Sequence, residues 1–157
     1  MNKVIKLITA IALPLALGAF AGFFTSSSVQ GWYSTINKPS FNPPNWIFAP
    51  VWTTLYVMMG IAFYIVWIKV EENKIKTKAI IFYFIQLVLN FCWSVIFFYA
   101  AEPGWAFAEI VVLWIMIAAT INKFAKISKW AAWLMVPYLL WVSFAAVLNF
   151  AIWRLNS

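Results

Sequence analysis

The chain has 157 residues, 66% of them apolar and only 10% charged, with a net charge of +7, a single cysteine and no histidine. A typical soluble domain is roughly one quarter charged, so a soluble fold of this size could not cover its apolar surface, and the bilayer is the solvent that resolves the problem. The missing histidine removes the commonest metal and haem ligand and the usual general base, and lone Cys92 excludes a disulfide framework or a thiolate metal site. Nucleic acid is excluded as a partner, because the basic residues form short clusters between apolar runs rather than a face that tracks phosphates. The predicted class is an all-α integral membrane protein, a five-transmembrane-helix bundle forming one domain over 1–157.

A span needs about 20 mostly apolar residues. The first predicted span covers 4–25. Lys3 and Lys6 followed by Ala19-Phe20-Ala21 also fit a secretory signal peptide, but the run is long for an h-region and Gly18-x-x-x-Gly22 suits close helix packing, so it reads as a span. That glycine pair leaves intrachain packing and a homodimer face both open. Residues 26–45 follow as a long loop rich in proline and aromatics, read as a structured cover, with Ser26 to Ser28 as the polar end of the first helix. The remaining spans are predicted at 46–68, 79–100, 104–122 and 130–153, the fourth carrying Glu109 within it. The connections around Glu102-Pro103 and over 123–129 are short, as between antiparallel neighbours. No internal repeat is visible.

Lysine and arginine set the orientation. Lys3, Lys6, Lys69, Lys74, Lys76, Lys78, Lys123, Lys126 and Lys129 fall on one side and Lys38 and Arg154 on the other, nine against two. This predicts a cytoplasmic N-terminus, with the C-terminus and loop 26–45 outside. The Lys-, Ile- and Asn-rich composition points to a bacterial cell membrane.

Eleven tryptophans are the strongest anomaly. Trp32, Trp46, Trp67, Trp105, Trp130, Trp133 and Trp153 lie at or beside span ends, where an interfacial belt accounts for them. Trp52, Trp93, Trp114 and Trp141 lie within spans. At helical spacing Trp52, Tyr56, Met59 and Phe63 share one face of the second span. Gln86, Asn90, Trp93 and Phe97 share one of the third, and Tyr138, Trp141, Ala145 and Leu148 one of the fifth. Such stripes serve either as packing core or as walls of a pocket between helices. The amides of Gln86, Asn90 and Asn149 are either interhelical glue or, for Asn90, a group offered to a ligand. Glu109 calls for a cation or a wet crevice.

Three motifs in order then resemble a known family. They are Trp32-Tyr33 with Lys38-Pro39, Pro43-Pro44, Trp46, Phe48 and Pro50-Val51-Trp52-Thr53-x-Leu55-Tyr56; Leu89-Asn90-x-x-Trp93-Ser94-x-x-Phe97-Phe98; and Pro137-Tyr138-Leu139-x-Trp141-Val142-x-Phe144-Ala145 with Leu148-Asn149. Together they resemble the tryptophan-rich sensory protein/peripheral-type benzodiazepine receptor family, the translocator proteins, over nearly the whole chain. The resemblance implies a five-helix bundle, often dimeric, with a pocket under the first long loop that takes porphyrins, other tetrapyrroles and benzodiazepine-site ligands. Carried over by motif, the ligand-binding residues are Trp52, Tyr56, Asn90, Trp93, Phe97, Trp141 and Ala145, and the lid is Trp32, Tyr33, Lys38, Pro39, Pro43 and Pro44. The family's sterol motif lacks its tyrosine here, where Leu148, Phe150 and Arg154 stand, so sterol binding is not expected.

The expected function is therefore binding and sensing of a tetrapyrrole, with a regulatory or stress-response role. No cofactor is required and no metal site is expected; a porphyrin or haem-type ligand would bind without a histidine on its metal. Lys38 or Arg154 would meet its carboxylates. The alternatives are a tetrapyrrole transporter or a light-dependent porphyrin-degrading enzyme using Trp52 and Trp141. Hydrolytic or acid–base catalysis is disfavoured, because no histidine and no paired carboxylates are available.

Overall fold

Residues 1–69 and 71–157 are described by a computed structural model. Helix α1 spans Lys3–Gln30 and is followed by a single helical turn α2 (Trp32–Thr35), α3 (Asn45–Lys69), α4 (Lys74–Ser94), a π-helical turn at Val95–Tyr99, α5 (Pro103–Ala125) and α6 (Lys129–Leu155). Five of these segments are long and apolar enough to cross a membrane, the third counted with its π-helical turn. Hydrocarbon offers backbone groups no partner, so a helix that satisfies its own ladder is the form these runs must take.

Local chemistry sets the ends. The side chains of Asn2, Asn73 and Ser128 accept from the N–H groups of Val4, of Ile75 and Lys76, and of Ala131, closing the first turns of α1, α4 and α6. Pro103 begins α5, where its missing N–H costs nothing. The Asn73 cap starts α4 at Lys74 rather than 79, and α5 continues to Ala125 rather than 122. The loop expected over 26–45 is shorter than the composition suggests. Helix α1 continues through Gln30 because Thr25 and Ser26 turn their hydroxyls back onto the carbonyls of Ala21 and Phe23. Polar side chains of this kind mark the change of environment without breaking the backbone ladder.

The helices form a closed bundle in which α1 packs on α3, α3 on α6, and α5 between α4 and α6. Where α1 meets α3, a Cβ added to Gly60 would lie 2.6 Å from both the Ala10 carbonyl oxygen and Ile11 Cα. The same Ala10 carbonyl lacks its usual helical partner, because Pro14 has no N–H. Small residues allow this backbone-to-backbone approach, which in a membrane replaces the hydrophobic drive of water.

The two ends of the bundle differ. At one end Lys6 lies over the Trp67 ring, 5.2 Å from its centre, Lys69 donates to Ser128 Oγ at 3.5 Å, and Lys123 caps the Phe82 ring at 4.4 Å. The N-terminus and the links near 70 and 127 therefore gather the basic clusters together, and this is called the lysine end below. The other end carries the segment after α1 and the C-terminus. In the lysine half the core is solid: Tyr83 stacks between Phe63 and Phe124 at 4.7 and 5.9 Å, with Val66, Ala79, Ala131 and Met135 fully buried. The half under the 31–44 segment is hollow.

Candidate functional site

A cavity of about 540 Å³ opens in that half, between α1, α3, α4 and α6, within the range of sites that take drug-sized ligands. Its walls are aromatic. Trp52 stacks on Tyr56 at 5.6 Å and 27°, while Trp93 stacks on Phe97 at 5.4 Å and 26°. Trp141 stands between Phe48 and Phe144, at 6.2 and 5.4 Å. The Trp141 indole N–H is shielded from solvent and has no hydrogen-bond partner among the described residues, a donor left over on a residue of the cavity wall.

Helical periodicity brings most of the expected binding residues together. Trp52, Tyr56, Trp93, Phe97, Trp141 and Ala145 all line the cavity, and Asn90 does not. Asn90 is committed elsewhere: its Oδ1 accepts from Tyr56 Oη at 2.9 Å and its Nδ2 donates to Tyr138 Oη at 2.9 Å. Tyr138 in turn donates to Gln86 Oε1 at 2.8 Å. The reading of Asn90 as an amide offered to a ligand is thus corrected. It ties α3, α4 and α6 into a hydrogen-bonded floor beneath the cavity, the glue that hydrocarbon favours at roughly 0.6–2 kcal/mol per bond. Asn149 has a similar role higher up, accepting from Trp93 Nε1 at 2.9 Å and donating to the Pro103 carbonyl at 2.8 Å.

Glycines admit the first helix. Gly18 faces the Tyr56 ring, with which an added Cβ would collide, while Gly22 looks into the cavity, with open space around its would-be Cβ. Both members of the motif point into the bundle, which is the intrachain use. Helix α1 was not expected to contribute walls, nor were Phe48 and Phe144 assigned to them; the Gly18-x-x-x-Gly22 spacing was the available signal.

The cover is built from α2 and the following segment. Tyr33 is buried, lines the cavity, packs on Phe97 and Phe98, and donates to Asn42 Oδ1 at 3.0 Å. Trp32, half-buried, meets Phe97 edge-on at 5.7 Å and so packs into the cover. Lys38 lies over the Tyr33 ring at 4.8 Å. The carbonyls of Pro39, Pro43 and Pro44 accept from Asn42 N, Asn42 Nδ2 and Ile47 N, folding the segment back on itself. A latch joins it to α6: Asn156 Oδ1 accepts from Asn37 N at 2.9 Å and its Nδ2 donates to Asn37 O at 2.8 Å. Glu109 lies away from the cavity, and neither of its oxygens finds a partner.

Residues 10–154 match the TspO/MBR family. The chain is 44% identical over 155 residues to a tryptophan-rich protein TspO of Archaeoglobus fulgidus, covering 99% of both chains. The chain belongs to the TspO/MBR family. A translocator protein of Homo sapiens is 39% identical over 145 residues, 90% of this chain and 85% of its own. A tryptophan-rich sensory protein of Cereibacter sphaeroides is 39% identical over 125 residues, 80% of this chain and 77% of its own. In this TspO/MBR chain the aromatic motifs that carry the likeness converge on one cavity and its cover, rather than being spread over the lipid-facing surface.

Proposed function

We propose that this TspO/MBR protein binds a porphyrin or a similar flat tetrapyrrole in the aromatic cavity and reports its occupancy through the cover. In this reading the lysine end faces the cytoplasm, by the charge asymmetry of the loops, and the cover faces outward. The observation that carries it is the convergence of two stacked ring pairs and an unpartnered indole N–H on one cavity of about 540 Å³. Indole faces stack on a macrocycle. The Trp141 N–H donates to an acceptor on it, and Lys38, above Tyr33, meets a carboxylate emerging under the cover.

The test is a titration of purified protein with protoporphyrin IX, read by tryptophan fluorescence, alongside Trp52→Phe and Trp141→Phe. Saturable micromolar quenching that weakens about threefold to tenfold in each variant is expected, the ~0.5–1.5 kcal/mol of an aromatic pair. Unsaturable quenching, or equal quenching in all three proteins, would refute the assignment. The presence of both indoles on one cavity also favours the degradative reading. Loss of the porphyrin Soret band under light, in the wild type and not in Trp141→Phe, would establish it.

A further inference from the structure

A second concave feature lies on the flank of the bundle, where the π-helical turn meets the start of α5. Its walls are Ile96, Ala100, Trp105, Ala108 and Val112, with Glu102 and Glu109 as its polar members. Trp105 and Val112 are largely exposed, on a surface that the bilayer covers. Both Glu109 oxygens are shielded from solvent and have no hydrogen-bond partner among the described residues. Glu109 lies six residues beyond Pro103, about 9 Å along the axis of α5. No lysine or arginine lines the crevice; besides Glu102, the titratable groups near Glu109 are the Cys92 thiol and the Tyr138 hydroxyl. A carboxyl in that position is held at high cost as a lone anion, and no described residue bonds to it.

We propose that this crevice is a binding site for a membrane-soluble amine, with Glu109 as its acidic partner. The chemistry is complementary at each point. A neutral amine enters from the lipid, the Glu109 carboxyl passes its proton to the amine nitrogen, and an ammonium–carboxylate pair remains. No net charge has entered the hydrocarbon, and the partner that Glu109 lacks is supplied. The Trp105 ring offers its face to the cation, Glu102 adds a second negative charge at the membrane surface, and Ile96, Ala108 and Val112 receive the hydrocarbon tail. Glu109 itself forms part of the wall, and its flexible side chain lets the carboxyl turn to the ligand.

The experiment uses the unaltered chain in phosphatidylcholine nanodiscs. Dicyclohexylcarbodiimide reacts from the lipid with a protonated carboxyl. The acid oxygen adds to the central carbon, the acid proton moves to nitrogen, and an acyl shift leaves a stable N-acylurea retaining the whole reagent. Mass spectrometry of the Glu109 peptide measures the yield with and without dimethyldodecylamine, a tertiary amine that cannot be acylated, or dodecanol as its uncharged counterpart. Glu71 and Glu72 are exposed, do not line the crevice and serve as internal references. Labelling of Glu109 that the amine suppresses at least fivefold and dodecanol leaves unchanged is the expected result. Two outcomes overturn the proposal. No labelling of Glu109 would mean that the carboxyl is closed to the lipid, as beneath a second copy of the chain. Equal behaviour of amine and alcohol would mean an apolar groove with no acidic recognition.

Discussion

The two halves of the bundle are made of the same residues and do opposite things with them. In the lysine half, aromatic rings fill space: Tyr83 lies between Phe63 and Phe124 with neighbours that are fully buried. In the other half, Trp52, Trp93 and Trp141 stand around a void, each braced by a second ring. Between them lies the floor of Gln86, Tyr138, Asn90 and Tyr56. Aromatic content by itself therefore says little about a binding site. What separates filler from wall is whether a neighbouring helix brings atoms into the same space.

Glycine substitutions give the sharpest way to break that contrast. Gly60→Val places a branched side chain against the Ala10 carbonyl and Ile11, where backbone must move. A loss of about 1–3 kcal/mol or more is expected, seen as a large fall in detergent melting temperature and in folded yield. Gly22→Leu should do the reverse, since its side chain enters open space. Helix propensity then gains up to ~1 kcal/mol while porphyrin affinity falls about tenfold or more, equivalent to ~1.4 kcal/mol. A melting temperature that fell in Gly22→Leu as far as in Gly60→Val would erase the distinction between the halves. The smallest effect belongs to the latch. Asn156→Ala removes both side-chain bonds to Asn37, which are exposed, so water takes over the freed groups at little cost in stability. Faster porphyrin release, by a few fold, with an unchanged melting temperature is the expected reading in a stopped-flow displacement.

The five spans were legible because the bilayer imposes their length, and the ring-bearing faces were legible because 3.6-residue periodicity reports them directly. Periodicity put Trp52 with Tyr56 and Trp93 with Phe97, each pair on its own helix, and it was the family resemblance that implied one pocket between them. Helix ends were less legible, since Asn73 and the hydroxyls of Thr25 and Ser26 carry helix into stretches whose composition reads as loop. Asn90 was left between two readings for a different cause. Periodicity tells which way an amide faces on its own helix, but its partners, Tyr56 and Tyr138, come from two others. The same limit hid the pairing of Asn37 with Asn156 across most of the chain. Gly18 and Gly22 show it most simply: they are one motif on paper, yet a tyrosine ring meets one and empty space the other.

Asn149 joins three helices through a single amide, with Trp93 on one side and the Pro103 carbonyl on the other. The cavity wall and the first turn of α5 are thereby one mechanical piece. Trp93 cannot swivel without pulling on Asn149, and Asn149 cannot follow without releasing the Pro103 carbonyl, near the turn where Ala101 already sits in the left-handed region at φ 56°. Two hydrogen bonds thus run from a ring on the cavity wall to the root of the helix that carries Glu109, a continuous path from the interior of the bundle to its lipid-facing flank.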